Sequence, residues 1–192
     1  KRFNLEIKII TGEEEGLLTS LGVQSSFDNL ENYLIVDIGG QSTELIRDIN
    51  NKLEIQSQDI GVVSISENFF NENPIKESNE KNALNFFNEI FKDKDFSTRE
   101  LIGVSGTFTS LGSIYLNQKI YDENEIDKVI ISYDSVVNIY ENLKTLSVPQ
   151  IISKFSSLDP KRAVTITSGL FLIKNLLKKY KITQLKVSKS DI

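Results

Sequence analysis

The chain has 192 residues, 39% of them hydrophobic and 26% charged, enough to bury one sizeable core. With no Cys and no His, it cannot build a thiol nucleophile, an imidazole base, a Ser-His-Asp triad or a His/Cys zinc site, so any chemistry falls to carboxylates, hydroxyls, backbone dipoles, lysines or arginines. The net charge of −5 is uneven: residues 160–192 carry +7 and the remainder −12, so a polyanion is drawn to the basic end.

Leu5, Ile7 and Ile9 alternate and predict a strand over 5–10. Thr11 followed three residues later by Glu14 is a capping box, opening a helix over 13–21 that Gly22 would end. Strands over 33–37, 43–48 and 52–56 follow as consecutive antiparallel neighbours, with Gly39-Gly40 and Asn50-Asn51 at the turns. A short helix over 64–70 precedes a polar loop over 71–81 holding Pro74. A helix over 82–91 places Ala83, Phe87, Ile90 and Phe91 on one face. The buried strand 101–104 ends in a glycine turn and releases a helix over 107–116. Residues 121–127 form a charged connection, 129–131 a short strand and 133–146 a helix. Pro160 suits the first turn of a long helix over 161–180, whose stripe of Ile166, Leu170, Ile173, Leu177 and Tyr180 is core. A strand over 185–187 closes an α/β domain that spans the chain.

No apolar run approaches the roughly 18 residues that cross a bilayer. The first residues alternate too soon for a signal peptide, so a cytoplasmic location is expected. The chain contains no Met, and its start resembles a strand in mid-domain, so it is expected to be a fragment. Nothing resembles a nucleic-acid motif; no aromatics interleave with the lysines. Lys174, Lys178 and Lys181 share a helical face and are expected to be solvated.

Asp37-Ile38-Gly39-Gly40-Gln41-Ser42-Thr43-Glu44 is the most informative stretch. A carboxylate at a strand end, two glycines, two hydroxyls and a second carboxylate are what a phosphate site with a metal requires. Glycine lets backbone N–H groups close on an anion, and carboxylates hold Mg²⁺ or aim a water. The same spacing also fits an ordinary Gly-Gly hairpin turn. Gly103-Val104-Ser105-Gly106-Thr107 is a second anion-loop candidate with a helix start behind it; it equally fits a glycine turn with a Thr cap. Arg162 stands at the start of the last helix, where it can reach phosphate oxygens or pair with Asp159.

These residues resemble a known family. Asp37 to Glu44 is similar to the Asp-x-Gly-Gly-Gly-Ser-Thr-Glu signature of the exopolyphosphatase / guanosine pentaphosphate phosphohydrolase (Ppx/GppA phosphatase) family. Thr11-Gly12-Glu13-Glu14-Glu15-Gly16 resembles its Ser-Gly-x-Glu-Glu-Ala/Gly block. Residues 103–107 resemble its Gly-x-Gly/Ser-Gly-Thr block, and Asp159-Pro160-Lys161-Arg162-Ala163 with Gly169 more weakly resembles its Arg-Ala-Asp…Gly helix start. The resemblance implies an actin-like ATPase (ribonuclease H-like) fold, a mixed sheet with helices on both faces, and specifically the family's second domain. The first phosphate-loop domain is then a missing partner.

By this resemblance Glu15 is the base that activates water, while Glu13 and Glu14 serve the helix dipole and cap. Asp37 and Glu44 are catalytic and hold the metal, Mg²⁺. Gly39, Gly40, Gln41, Ser42, Ser105, Gly106, Thr107 and Arg162 bind phosphate. Three departures stand out: Gln41 replaces a third glycine, Val164 replaces a frequent Asp, and Asp127-Lys128 stands where the family has His-Gly. Gln41 is expected to keep a negative φ and still donate its N–H.

The implied function is Mg²⁺-dependent hydrolysis of terminal phosphoanhydride bonds of inorganic polyphosphate or pppGpp. This chain alone is expected to be inactive or slow. The rivals are an ATP-dependent kinase or ATPase on the same superfold, and a non-catalytic phosphate- or alarmone-binding module. A homodimer is among the expected partners; nucleic acid and membrane are not.

Overall fold

The computed structural model describes residues 9–27, 30, 33–49, 52–92, 96 and 100–190. Most of the strand expected at 5–10, and the Asn50-Asn51 turn, lie outside the described residues. The elements run α1 (Gly12–Gln24), β1 (Tyr33–Ile38), β2 (Thr43–Ile49), β3 (Lys52–Gln58), α2 (Val62–Asn68), α3 (Glu77–Ile90), β4 (Glu100–Val104) and α4 (Ser105–Tyr115). They continue with α5 (Glu123–Ile126), β5 (Ile130–Ser132), α6 (Tyr133–Leu143), α7 (Val148–Lys154), α8 (Pro160–Lys179) and β6 (Gln184–Val187).

The six strands lie in the order β3-β2-β1-β4-β6-β5. β1 is antiparallel to β2 and β2 to β3, β4 is parallel to both β1 and β6, and β5 runs antiparallel on β6. The sheet is mixed, as expected, and its two-residue period sorts the chain into two cores. Leu34, Val36, Ile38, Leu45 and Leu101 face the larger core with Phe108 and Leu111 of α4 and the long apolar side of α8. Ile35, Ile46, Ile102 and Val104 face the smaller core, where Val23 of α1 packs. Helices therefore cover both faces.

α1 lies unusually close to the sheet. A Cβ on Gly16 would stand 2.5 Å from Ile55 Cγ2, and one on Gly12 2.5 Å from Ser57 Cβ. The Thr11–Glu14 capping box forms in both directions. Gly22 does not end the helix, because Val23 just beyond it is fully buried and holds the last turn down.

Other differences have local causes. α3 begins at Glu77, five residues early, with Glu77 and Glu80 in a first turn where acids complement the dipole. α7 escapes a periodicity reading because it is two turns long, yet Ser147 and Gln150 form a capping box with Pro149 in the first turn. The connection at 121–127 contains the single turn α5, pinned by buried Ile126. α6 stops at Leu143, short of the expected 146. The predicted α8 stripe is buried throughout.

Candidate active site

Asp37 and Glu44 are direct partners across the β1–β2 ladder. By the strand period both point to the α1 face, at the end of the strands beside the Gly39–Ser42 turn. Glu15, in the first turn of the helix that Gly12 and Gly16 seat against the sheet, meets them there. One carboxylate oxygen from each of Glu15, Asp37 and Glu44 lies within 4.8 Å of the others. At an effective dielectric of ~20, each charged pair at that distance repels by about 3 kcal/mol. A cation or bound protons would offset that repulsion.

The surroundings hold the three acids differently. Glu44 is fully buried; its Oε1 accepts from Ser57 Oγ at 2.7 Å, while its Oε2 has no hydrogen-bond partner. Burial pushes its pKa above the ordinary range, with the Glu15 charge adding to the effect. Asp37, also buried, accepts from Thr19 Oγ1 at 3.4 Å. Glu15 is half-buried, between the pocket and solvent. Glu14 is occupied by the cap and Glu13 is exposed, so the three consecutive acids stand in different surroundings.

The Gly39–Ser42 turn is fastened from one side. The α2 amides of Val62 and Val63 donate to the carbonyls of Gly39 and Gly40 at 3.0 and 2.8 Å. That leaves the N–H groups of Gly40, Gln41 and Ser42 without a protein acceptor among the described residues. Gly39 differs from expectation: its N–H donates to Ser42 O at 3.0 Å across the turn. No residue of the turn, Gln41 included, has a positive φ, so the turn tolerates a side chain at position 41.

The second turn sits beside the first. Ser105 bridges β4 and α4 with φ 74, a left-handed conformation that costs a non-glycine residue of order 1 kcal/mol. Its Oγ and Thr107 Oγ1 both donate to Ile38 O, at 3.1 and 3.0 Å. The two hydroxyls therefore tie the second turn to the end of β1, and the amides that follow are what this helix start presents. α4 has no side-chain cap.

Arg162 lies directly over Gly106, where any Cβ would collide with its guanidinium. The alternative pairing with Asp159 is not made. Asp159 caps α8 by accepting from Lys161 N at 2.7 Å, and no ion pair of Arg162 occurs among the described residues. Val164 is half-exposed. At the place of the family's His-Gly, Asp127 accepts from Lys189 N and Lys128 lies over the Phe27 ring.

The sequence reading missed Ser57, Thr19 and the α2 amides. Thr19 was within reach, four residues after Glu15 on the same helix face. Ser57 could be found only with the β2–β3 register, which pairs it with Glu44.

The same fold and sequence pattern occur in known proteins. The sequence profile of the Ppx/GppA phosphatase family matches residues 1–191. A bifunctional 3-dehydroquinate synthase/phosphatase of Fusobacterium nucleatum is 31% identical over 97% of this chain and 29% of its own length. A guanosine-5'-triphosphate,3'-diphosphate pyrophosphatase of Pseudoalteromonas atlantica is 27% identical over 95% of the chain and 36% of its own. Exopolyphosphatase 2 of Mycobacterium tuberculosis is 24% identical over 96% and 61%. The crystal structure of the Aquifex aeolicus Ppx/GppA family member superposes with a TM-score of 0.91 at 25% identity, over 99% of this chain and 62% of that one. Its type II variant gives 0.88 at 26% identity over 95% and 61%. The chain thus spans from under a third to about three fifths of the length of these relatives.

Proposed function

Because this chain belongs to the Ppx/GppA phosphatase family, we propose that it supplies the water-activating half of a phosphoanhydride hydrolase acting on inorganic polyphosphate or guanosine pentaphosphate. The observation that carries this reading is the convergence of Glu15, Asp37 and Glu44 beside the Gly39–Ser42 turn, whose Gly40, Gln41 and Ser42 amides have no acceptor among the described residues.

Asp37 and Glu44 are the residues that would hold Mg²⁺; the buried, unpartnered Glu44 Oε2 fits a cation. When bound, the ion offsets phosphate charge and supports orientation of the attacking water. Glu15, at the solvent edge, accepts one proton from that water as its oxygen bonds to the terminal phosphorus. The bond from phosphorus to the bridging oxygen breaks, and the electron pair leaves on the shortened chain. The amides of Gly40, Gln41 and Ser42, the start of α4 and Arg162 stabilise the phosphate oxygens through this transfer, where positioning and electrostatics dominate. A cytoplasmic setting and work alongside a first phosphate-loop domain complete the proposal. No helix of the described residues is long and apolar enough to cross a membrane.

Glu15→Gln in the protein that contains this chain tests the reading. It keeps the shape of the side chain and removes the base. Phosphate release should fall by about 10²–10⁴-fold while polyphosphate binding stays within about twofold. An unchanged rate refutes the assignment of Glu15, and the absence of any rate in the parent protein favours a binding module.

A further inference from the structure

The backbone just after Asp37 is held by side chains and amides from distant parts of the sequence. The β1–β4 ladder ends at the pair Asp37 and Val104, because the chain leaves β4 through the left-handed Ser105. Ile38 therefore has no strand partner on the β4 side. A carbonyl oxygen accepts two hydrogen bonds, and the hydroxyls of Ser105 and Thr107 give both to Ile38 O. The next carbonyl, Gly39 O, accepts from Val62 N. Two successive peptide groups after Asp37 are thus fastened from outside the hairpin. Each hydroxyl has one proton, so Ser105 and Thr107, having given theirs to Ile38 O, have none to offer a phosphate.

Gly169 of α8 stands where these holds meet. A Cβ there would lie 2.5 Å from Thr107 Cγ2 and 3.4 Å from Val62 Cγ1. Thr107 and Val62 are both buried, so neither has open space to retreat into. The missing side chain lets the Thr107 methyl pack on α8. A β-branched residue carries its methyl and hydroxyl at a fixed angle, so seating the methyl also aims Oγ1 at Ile38. Gly169 belongs to the helix-start block of the sequence, and the hydrolytic chemistry above gives it no task.

We propose that Ser105, Thr107 and Gly169 are positioning residues. They fix the peptide after Asp37 so that its carboxylate meets Glu15 and Glu44 in a cation-binding arrangement. The proposal rests on the hydrolase reading above and deepens it, because it assigns the two hydroxyls to the carboxylate site and not to phosphate.

Titration calorimetry of the protein that contains this chain, with Mg²⁺ and separately with inorganic tripolyphosphate, tests this. Thr107→Val keeps the side-chain shape and removes one hydroxyl, while Ser105 still bonds Ile38 O. Mg²⁺ affinity should fall by about tenfold or more, the loss typical of a group that orients a metal ligand, and metal-free tripolyphosphate binding should stay within about twofold. Ser105→Gly removes the other donor together with the cost of a positive φ. Its Tm should hold or rise while Mg²⁺ affinity still falls, a split that a merely structural role does not give. Gly169→Ala should weaken Mg²⁺ binding by driving the Thr107 methyl off α8. Adding Thr107→Ser, which deletes that methyl and keeps the hydroxyl, should restore it; a loss that persists removes Gly169 from the proposal. Unchanged Mg²⁺ affinity in Thr107→Val and Ser105→Gly overturns the proposal and leaves the hydrolase reading standing. Lost tripolyphosphate affinity with Mg²⁺ binding intact overturns it too, by putting the hydroxyls on phosphate. Failure of the unaltered protein to bind Mg²⁺ overturns the metal assignment of the hydrolase reading, and the proposal falls with it.

Discussion

Glu44 carries the largest electrostatic conflict among the site residues. It is fully buried, one oxygen is held by Ser57, the other is unpartnered, and burial with the Glu15 charge raises its pKa. The sign of the linkage follows. A folded-state pKa above the unfolded value favours folding while the carboxyl is protonated, so this contribution is full below the unfolded pKa and is lost as pH rises through the folded pKa. Without divalent cations the protein should therefore lose stability as pH climbs from that of an ordinary glutamate into the raised range. Mg²⁺ should restore it by mass action. Glu44→Gln removes the buried charge and should flatten this pH dependence, while cutting the Mg²⁺-induced rise in Tm to near zero. Thermal denaturation with and without Mg²⁺ across pH checks both, and an equal Mg²⁺ response in the variant rules Glu44 out as a ligand.

Helix α1 shows how an element turns packing into chemistry. Gly12 and Gly16 let it approach β3 until Glu15 reaches the strand-end acids. Gly16→Val puts a branched side chain where Ile55 Cγ2 already stands 2.5 Å from a Cβ. The expected cost is about 1–3 kcal/mol of overpacking, read by urea denaturation, together with weakened Mg²⁺ binding as Glu15 is carried away. Equal Mg²⁺ affinity in that variant would separate the packing of α1 from the site. The same helix shows what local sequence can tell. Its start was legible because a capping box is a contact between residues three apart. Its end was not, since Gly22 is overridden by burial of Val23 against strands distant in sequence. Lys174 fails for the same reason. Its helical face predicts solvent, but α3 and α6 bring Glu80 to 3.1 Å and the Tyr140 ring to 3.8 Å. Hydrogen bonds from Lys144 and Lys174 outweigh burial and hold the Glu80 carboxyl below its usual range. Asp37 and Glu44 were legible as a pair because one tight hairpin joins them, whereas the Ser57 and Arg162 contacts depend on register and tertiary approach.

At the scale of the whole molecule, the two faces of the sheet are unequally built. On one face Phe171 of α8 sits among Phe70, Phe87 and Tyr140, with ring centroids 5.2, 6.5 and 6.3 Å away, inside the larger core. On the other, α1 contributes only Val23 as a buried apolar side chain, and Leu17, Leu18 and Leu21 remain substantially exposed. Local opening is cheapest where few apolar contacts must break, so α1 should open far more often than α8. The site spans that difference: Asp37 and Glu44 sit on central strands β1 and β2, whereas Glu15 rides on the loosely held helix. A cation bridging them would tie α1 to the sheet. Hydrogen exchange should then show α1 amides exchanging well before those of α8 without Mg²⁺. Adding Mg²⁺ should slow α1 by about tenfold or more and leave α8 nearly unchanged. Glu15→Gln should abolish that protection if Glu15 bears on the cation as well as on water. Persistence of the protection in the variant would confine the cation to Asp37 and Glu44 and leave Glu15 as base alone.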